Sequence, residues 1–294
     1  MKAKKWIVAA LALALAAGAF GLAGCGSSQS STGTPATSSE LSGSINVAGS
    51  DTMVNLAQAW AEKFAEKNPG VMVSVKGGGS GVGIAALINK TVDFADSSRK
   101  IKGEEESAAS TAGVSPVETE VAKDGLVVIV NTANGVSGIT KEQLGKVYAG
   151  QITNWKDLGG ADAPIVLLGR DSSSGTYAFV KDEVLAKLPN KPDYAKSMMN
   201  LQSTQAIVDE VGKNPNGIGY IGLGYENASI KPISVDGTQA SVATVLDGSY
   251  ALSRGLFMYS DGEPAGAMKA YIDWILGADG QAVVKEQGFV PLAK

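Results

Sequence analysis

The chain has 294 residues, 44% of them hydrophobic and 18% charged, which is an ordinary composition for one large or two medium globular domains. Its net charge is −4. Without Lys2, Lys4 and Lys5 of the leader described next, 22 basic residues face 29 acidic ones, a net charge of about −7, so we expect no nucleic-acid partner. The absence of histidine removes the usual general base, the usual zinc ligand and any Ser-His-Asp triad. We therefore expect no enzyme, no metal site and no cofactor.

The first 25 residues have the layout of a signal peptide. Three lysines precede an apolar run from Trp6 to about Ala17, and small residues then lead to Cys25. A transmembrane helix is the alternative, but no basic stop-transfer cluster follows. Leu-Ala-Gly-Cys at 22–25 resembles the lipobox of bacterial lipoproteins, so we expect residues 1–24 to be removed and Cys25 to carry a lipid such as palmitate. Cys25 is the only cysteine, which rules out disulfides within the chain.

A linker and a globular body are predicted to follow. Residues 25–43 are rich in Ser, Thr and Gly, as flexible linkers are. From Ser44, short apolar runs alternate with helical patterns three times: "SINVAGS" precedes "DTMVNLAQAWAEKFAEKNPG", "VMVSVKGGG" precedes "SGVGIAALINKT", and "VDFADSS" precedes "RKIKGEEESAAS". This β-loop-α order predicts an α/β fold with a parallel or mixed sheet whose loops share one edge.

The remainder of the chain predicts further strands and a helical end. The runs "VAKDGLVVIVNTAN", "PIVLLG", "PNGIGYIGLGY" and "RGLFMYS" are predicted strands, and two helices separated by a glycine follow the last of them. The apolar stretches near 126–131 and 255–260 are candidates for strands that cross between two lobes. The match of Gly217–Gly222 to G-x-G-x-x-G lies inside an apolar run and opens no helix, so we predict a packed strand there rather than a phosphate loop.

Four predicted strand-to-helix junctions carry hydroxyl groups and glycines. In open α/β sheets, ligands bind outside the carboxyl ends of the strands, and each helix N-terminus offers unpaired N–H groups and the positive end of a dipole. One such junction alone is most simply a helix cap or a turn. Four in one chain, one of them with an arginine followed by Ser-Ser-Ser-Gly-Thr, indicate a site for a tetrahedral oxyanion. They are Ser50-Asp51-Thr52, Gly77 to Gly81 with Ser80, Ser97-Ser98-Arg99, and Arg170 to Thr176.

Other conspicuous residues have structural explanations. Glu104–Glu106 is predicted to be a solvated first helical turn, which the helix dipole favours. Arg254 begins a predicted strand and is expected to form a surface or hinge ion pair. The large aromatic residues are expected to pack in the core or between lobes; they are Trp60, Phe64, Trp155, Tyr271 and Trp274.

The loops resemble those of the phosphate-binding proteins of bacterial high-affinity phosphate ABC transporters. "AGSDTM" stands where that family has its first hydroxyl loop, "GGGSGVGIAALINKTVDFADSSRKI" resembles its second and third loops, "QITNW" its G-x-I-x-x-W segment, "GRDSSSGT" its R-x-x-x-S-G-T loop and "PNGIGYIGLGY" its P-G-A-I-G-Y strand. The resemblance covers nearly the whole chain after the linker. It implies a two-lobed periplasmic-binding-protein fold of the Venus-flytrap type II class, with mixed sheets and two crossover strands. Residues 44–127 and 254–294 would form lobe 1, and 128–253 lobe 2.

The resemblance also implies which residues hold phosphate in the cleft. Arg170 would be the cationic contact, and Ser80 would donate a hydrogen bond from lobe 1. Ser174, Gly175 and Thr176 would donate from lobe 2. The other implied contacts are Ser50, Asp51, Thr52, Gly81, Ser98 and Arg99.

One position departs from the family's pattern. The best-known members have a carboxylate in the third loop that accepts the proton of bound phosphate, and Ser98 occupies that position here. Asp51 or Asp96 could accept the proton instead, or no group does. Such a carboxylate repels a fully deprotonated oxyanion, so the sequence leaves open phosphate, sulfate, arsenate or another oxyanion as the ligand.

The implied function is that of an extracytoplasmic solute-binding lipoprotein, anchored by lipid to the cell membrane and monomeric. It would capture inorganic phosphate and deliver it to the permease subunits of an ABC transporter and, through them, to the ATPase. One alternative is a phosphate-binding or signalling surface protein without a transport role. Another is a surface phosphatase, although the sequence offers no evident activated nucleophile.

Overall fold

The structure is a computed structural model that describes residues 41–292, which belong to one compact unit. The expected signal peptide, Cys25 and most of the linker lie outside the described residues. Within residues 41–292, no helix reaches the length and hydrophobicity that crossing a bilayer requires.

The N-terminal part alternates strands and helices, as predicted. Strand β1 pairs in parallel with β2 on one side and with β3 on the other. The elements are β1 (Gly43–Gly49), α1 (Val54–Lys67), β2 (Val71–Lys76), α2 (Ser80–Ile88), β3 (Phe94–Ser97) and α3 (Gly103–Thr111). The β-loop-α order is therefore confirmed, and the loops after β1, β2 and β3 all follow the carboxyl ends of parallel strands.

The remaining described elements include the predicted strands and the two closing helices. They are β4 (Pro116–Asn131), β5 (Gly138–Ile139), α4 (Lys141–Tyr148), β6 (Val166–Arg170), α5 (Gly175–Glu183), β7 (Met199–Leu201), α6 (Thr204–Lys213), β8 (Gly217–Gly222), β9 (Ile230–Val235), α7 (Val242–Leu246), β10 (Ser253–Asp261), α8 (Gly266–Leu276) and α9 (Ala278–Glu286). Every residue of β8 is buried, so its glycines allow close packing and open no phosphate loop, as predicted. The sequence patterns missed β5, β7, β9 and α7, which are all short or flanked by polar turns.

Strand β4 lies at the middle of a mixed sheet with the strand order β2-β1-β3-β10-β4-β8-β6-β7, and β9 and β5 branch from it. Residues 116–125 of β4 pair antiparallel with β10, and residues 126–131 pair with β8 and β9. The two strands expected to cross between lobes are thus neighbours at the centre of the sheet. The boundaries of the lobes stay a prediction.

The aromatic residues pack as expected. Trp60, Phe64, Trp155 and Tyr271 are buried, and the half-buried Trp274 meets Phe64 edge to face at 5.7 Å between ring centroids. The Trp60 indole N–H donates to the Gly280 carbonyl at 2.9 Å, which joins α1 to α9. These contacts place the large aromatic groups in the framework behind the loops rather than among them.

Candidate anion-binding site

The loops that precede helices α1, α2 and α5 are in direct contact. Thr52 Oγ1 lies 2.9 Å from Thr176 Oγ1, and the amide of Gly81 donates to the Ser173 carbonyl at 2.9 Å. Three helices therefore begin next to one another, which concentrates the positive ends of their dipoles in one place. The Gly81 amide, implied as a ligand contact, is already used in this bridge.

Gly175, the first residue of α5, makes the closest approach between the loops. A Cβ atom on Gly175 would lie 2.6 Å from Ser98 Oγ and closer still to Ser80 Oγ, so only glycine fits here. Ser98 N donates to Ser80 Oγ at 3.1 Å, and Ser50 Oγ donates to Ser98 Oγ at 3.0 Å. The structure thus brings three buried serines from three loops against the N-terminus of α5.

Ser174 is the N-cap of α5. Its Oγ accepts hydrogen bonds from the amides of Thr176 and Tyr177 at 3.2 and 3.3 Å. The proton of a hydroxyl that accepts in this way remains available for donation. Ser174 therefore stabilises the helix and still offers a donor beside Gly175.

Arg170 ends β6 and is fully buried. Its Nε donates to the Leu201 carbonyl at 3.1 Å and its Nη1 to Thr204 Oγ1 at 3.2 Å, while Nη2 donates to the Gln202 carbonyl at 2.8 Å. Nη2 also lies 2.6 Å from Asp51 Oδ2. The guanidinium is therefore held rigidly, with its charge opposed by one carboxylate.

Asp51 is fixed from several sides by the surrounding loops. Besides the bond to Arg170, its Oδ1 accepts the amide of Gly78 at 3.1 Å, and its backbone carbonyl accepts the Tyr225 hydroxyl at 2.6 Å. A carboxylate offers about four lone-pair positions, so each oxygen of Asp51 still has room for another donor.

Asp96, on β3, has a different environment. The residue is buried, and its Oδ1 has no hydrogen-bond partner. Burial raises the pKa of the Asp96 carboxyl to about 8. Only its backbone carbonyl reaches the loops, where it accepts the amide of Ser50 at 2.9 Å.

Arg99 forms a two-pronged ion pair with Glu105, at 2.7 and 2.6 Å. Glu105 also accepts the Lys102 amide at 2.9 Å, which satisfies the backbone donor of the N-cap residue of α3. The prediction of a solvated turn over Glu104–Glu106 is therefore wrong for Glu105, because the arginine three residues before the N-cap binds its carboxylate. The Arg99 guanidinium remains beside Gly81, where a Cβ atom would lie 3.7 Å from Nη2.

Arg254 reaches the hydroxyl loops from β10, which the sequence did not indicate. It forms an ion pair, as expected, but the pair is buried and so does not lie at the surface: Nε and Nη2 are 3.0 and 2.8 Å from Oδ2 of Asp124 on β4. Nη1 donates to Thr176 Oγ1 at 3.0 Å, and Nη2 donates to Thr52 Oγ1 at 3.3 Å. Burial raises the pKa of Asp124, and Arg254 opposes this shift.

Within residues 41–292, no group of three or more His, Cys, Asp or Glu side chains could hold a metal ion. The three arginines at these loops are each paired with a carboxylate. The pairs are Arg170 with Asp51, Arg99 with Glu105, and Arg254 with Asp124. Because the pairs cancel in charge, an anion here would be held mainly by hydroxyl groups, amides and helix dipoles.

Comparison with known proteins identifies the family. The model of the PBP superfamily domain matches residues 34–279. The phosphate-binding protein PstS of Pseudomonas aeruginosa is 31% identical over 277 residues, which span 86% of this chain and 84% of that protein. PstS of Bacillus subtilis is 31% identical over 296 residues, 99% of this chain and 95% of that protein. The chain belongs to the PstS family of the PBP superfamily.

Solved structures related to the PstS family share the fold. A phosphate ABC transporter substrate-binding protein from Clostridium perfringens, solved with bound phosphate, has a TM-score of 0.79 and 32% identity, covering 85% of this chain and all of that one. An ABC-type phosphate transport receptor from Vibrio cholerae has a TM-score of 0.69 and 28% identity, covering 84% of this chain and all of that one. The α/β periplasmic-binding-protein fold implied by the loop motifs is thereby confirmed.

Proposed function

We propose that this chain captures inorganic phosphate in a cleft between its two lobes and delivers it to the permease of an ABC transporter. The observation that carries the proposal is the meeting of Ser80 and Ser98 with the N-terminus of α5 at Gly175. Hydroxyl and amide donors that converge beside a buried arginine suit a tetrahedral oxyanion, whose oxygens each accept several hydrogen bonds. Membership of the PstS family, and the phosphate bound to the related C. perfringens protein, support the same ligand.

In this proposal Asp51 accepts the proton of bound phosphate. Ser98 occupies the position of the family's usual carboxylate, and a carboxyl group with a pKa of about 8, as at Asp96, is mostly protonated at neutral pH and cannot accept another proton. Asp51 lies in the first hydroxyl loop and has free lone pairs on both oxygens. A carboxylate in that position would repel sulfate, which has no proton to donate.

Ligand binding is proposed to stabilise a closed form of the two lobes. Several contacts join the loops after β1 and β2 to the segment from Arg170 to Thr176, among them Thr52 with Thr176, Gly81 with Ser173 and Asp51 with Arg170. A phosphate among these residues would add hydrogen bonds to both sides. Small-angle scattering should show a smaller radius of gyration at saturating phosphate, and an unchanged radius would contradict closure.

The location and partners of the chain follow from the same proposal. PstS relatives are solute-binding proteins, so we propose a monomer without enzymatic activity that works outside the cytoplasmic membrane with the permease subunits and their ATPase. Lipidation of Cys25 would anchor it there through the linker. Mass spectrometry of the membrane-extracted protein would test this: a mature chain that begins at a lipid-modified Cys25 is expected.

Calorimetric titration tests the ligand. The purified full chain should bind phosphate and not sulfate, and Arg170→Gln should weaken phosphate binding by about ten- to a hundred-fold, the effect of a lost charged hydrogen bond. Lys269→Gln removes the same charge from an exposed position on α8 and is the matched control. Failure of the unaltered chain to bind phosphate would overturn the proposal.

A further inference from the structure

We propose that Arg254 is a positioning residue of the anion site, which holds Thr52 and Thr176 as hydrogen-bond donors to the bound anion. The inference rests on the proposed function, because it assumes that these two threonines face phosphate. Arg254 acts through the threonines and makes no direct contact with the ligand in this account.

Asp124 and Phe179 fix the Arg254 guanidinium in addition to the two threonines. Asp124 binds Nε and Nη2 from one side, and the Leu223 amide holds the other carboxylate oxygen of Asp124 at 3.0 Å. The guanidinium carbon also lies over the ring of Phe179 at 5.4 Å from its centroid. A buried arginine fixed in this way presents Nη1 and Nη2 to the two hydroxyl oxygens in a defined direction.

A count of hydrogen bonds shows what this does to the hydroxyl pair. Each threonine hydroxyl has one proton and two lone pairs. Arg254 fills one lone pair on Thr52 and one on Thr176, and one hydroxyl donates its proton to the other across 2.9 Å. The hydroxyl that receives this bond has both lone pairs filled, so it can only donate. The pair therefore keeps one free proton, on the oxygen whose lone pairs are both filled, and one free lone pair, on the hydroxyl that donates to it.

This arrangement favours a deprotonated ligand oxygen. The threonine hydroxyl whose lone pairs are both filled has none left to accept the proton of a protonated ligand oxygen. Two donors that point at each other repel. The positive charge of Arg254, within 3.3 Å of both hydroxyls, also strengthens the donation by polarising the O–H bonds. Without Arg254, the same threonines would regain two lone pairs, so they would have three rather than one with which to accept a proton from the ligand.

Phosphate with one proton fits this site better than phosphate with two. Asp51 would receive the single proton of the dianion, and the remaining oxygens would face donors such as the threonine pair. The monoanion carries a second proton, for which the pair offers only one lone pair, on the hydroxyl that donates to its neighbour. The affinity of the unaltered chain should therefore fall as the pH drops below the second pKa of phosphate.

Titration of the full chain with phosphate below and above that pKa tests the inference. Arg254→Lys keeps the charge beside Asp124 but loses the two-pronged contact, so we expect phosphate affinity to fall by about tenfold or more at the higher pH. The ratio of the affinities at the higher and the lower pH should also be smaller in Arg254→Lys than in the unaltered chain. Tyr250→Phe is the control, because it removes a different buried hydrogen bond to the same central strand β4, the 2.6 Å bond from the Tyr250 hydroxyl to the Leu126 carbonyl.

A double-mutant cycle separates positioning from simple loss of stability. If Arg254 acts through Thr52, the fold-loss of phosphate affinity in the double variant should be smaller than the product of the fold-losses in Arg254→Lys and Thr52→Val. An unchanged dianion preference in Arg254→Lys, or a cycle in which the two losses multiply fully, overturns the inference while leaving phosphate binding intact. No binding by the unaltered chain overturns both the inference and the proposed function.

Discussion

The carboxylate of Asp51 lies 2.6 Å from the guanidinium of Arg170, so the loop after β1 supplies the counter-charge for the arginine at the end of β6. The two residues are 119 positions apart in the chain. Arg99 and Arg254 are compensated in the same way by Glu105 and Asp124. The candidate site therefore carries three fixed guanidinium groups and no net charge from them.

Weak salt dependence of phosphate affinity follows from this pairing. Long-range attraction cannot assist an anion that approaches compensated arginines on a chain of net charge −4, and short hydrogen bonds in a buried site are little screened by salt. We expect phosphate affinity in calorimetry to change by less than about threefold between low and physiological ionic strength. A steep loss with added salt would show that uncompensated charge dominates binding.

Asp51→Asn should reduce the discrimination against sulfate. The amide can donate as well as accept, so a fully deprotonated oxyanion no longer meets a repelling carboxylate. We expect measurable sulfate binding and phosphate binding weakened by about tenfold or more. Titration with both anions provides the measurement, and Asp182→Asn, at an exposed position on α5, is the matched control. Continued rejection of sulfate would contradict the role proposed for Asp51.

Gly175→Ala should disrupt the site without altering its polar groups. The added methyl group would collide with the hydroxyls of Ser80 and Ser98, which must separate from α5 to make room. We expect phosphate affinity to fall by about a hundredfold or more, with overpacking that costs about 1–3 kcal/mol of stability. Gly135→Ala is the control, because a Cβ atom there meets nothing within 4 Å. Near-normal binding in Gly175→Ala would mean that the loops need not approach this closely.

Asp96 should make stability depend on pH. Burial raises its pKa from 3.8 to about 8 in the folded chain, so the folded state retains a proton that the unfolded state has lost. The contribution of Asp96 to the free energy of unfolding is then greatest below pH 3.8 and falls as the pH rises towards about 8. The side chain of Asp96→Asn cannot ionise. The free energy of unfolding of this variant should therefore exceed that of the unaltered chain by an amount that grows with pH, to the order of several kcal/mol.

Urea unfolding of both proteins at several pH values across that range would measure this difference. Asp182→Asn should show the pH dependence of the unaltered chain, because that carboxylate is exposed. Parallel stability curves for Asp96→Asn and the unaltered chain would show that Asp96 is ionised in the folded state.

The sequence predicted the features that depend on local order along the chain. Alternating apolar and helical patterns gave correct positions for β1 to β3 and their helices, and hydroxyl and glycine residues marked the loops that the fold brings together. The contacts of Arg254 could not be predicted, because Arg254 lies 130 positions from Asp124 and 202 positions from Thr52 along the chain. Its place at the start of a central strand was the one available signal. Glu105 was misjudged because a run of three glutamates hides which one faces the preceding loop.

The partner exchange in β4 has a mechanical consequence. In the sheet order of the described strands, β4 alone pairs both with the β10 side and with the β8 side, and it changes partners between Gly125 and Leu126. In the closure that we propose, a rotation of one half of the sheet against the other would twist the backbone of β4 at Gly125 and Leu126. Asp124 immediately precedes these residues, so the carboxylate that anchors Arg254 would lie close to the axis of that rotation, where it would move least. The loops that carry Thr52 and Thr176 would then move about that axis while the guanidinium that contacts them stays in place.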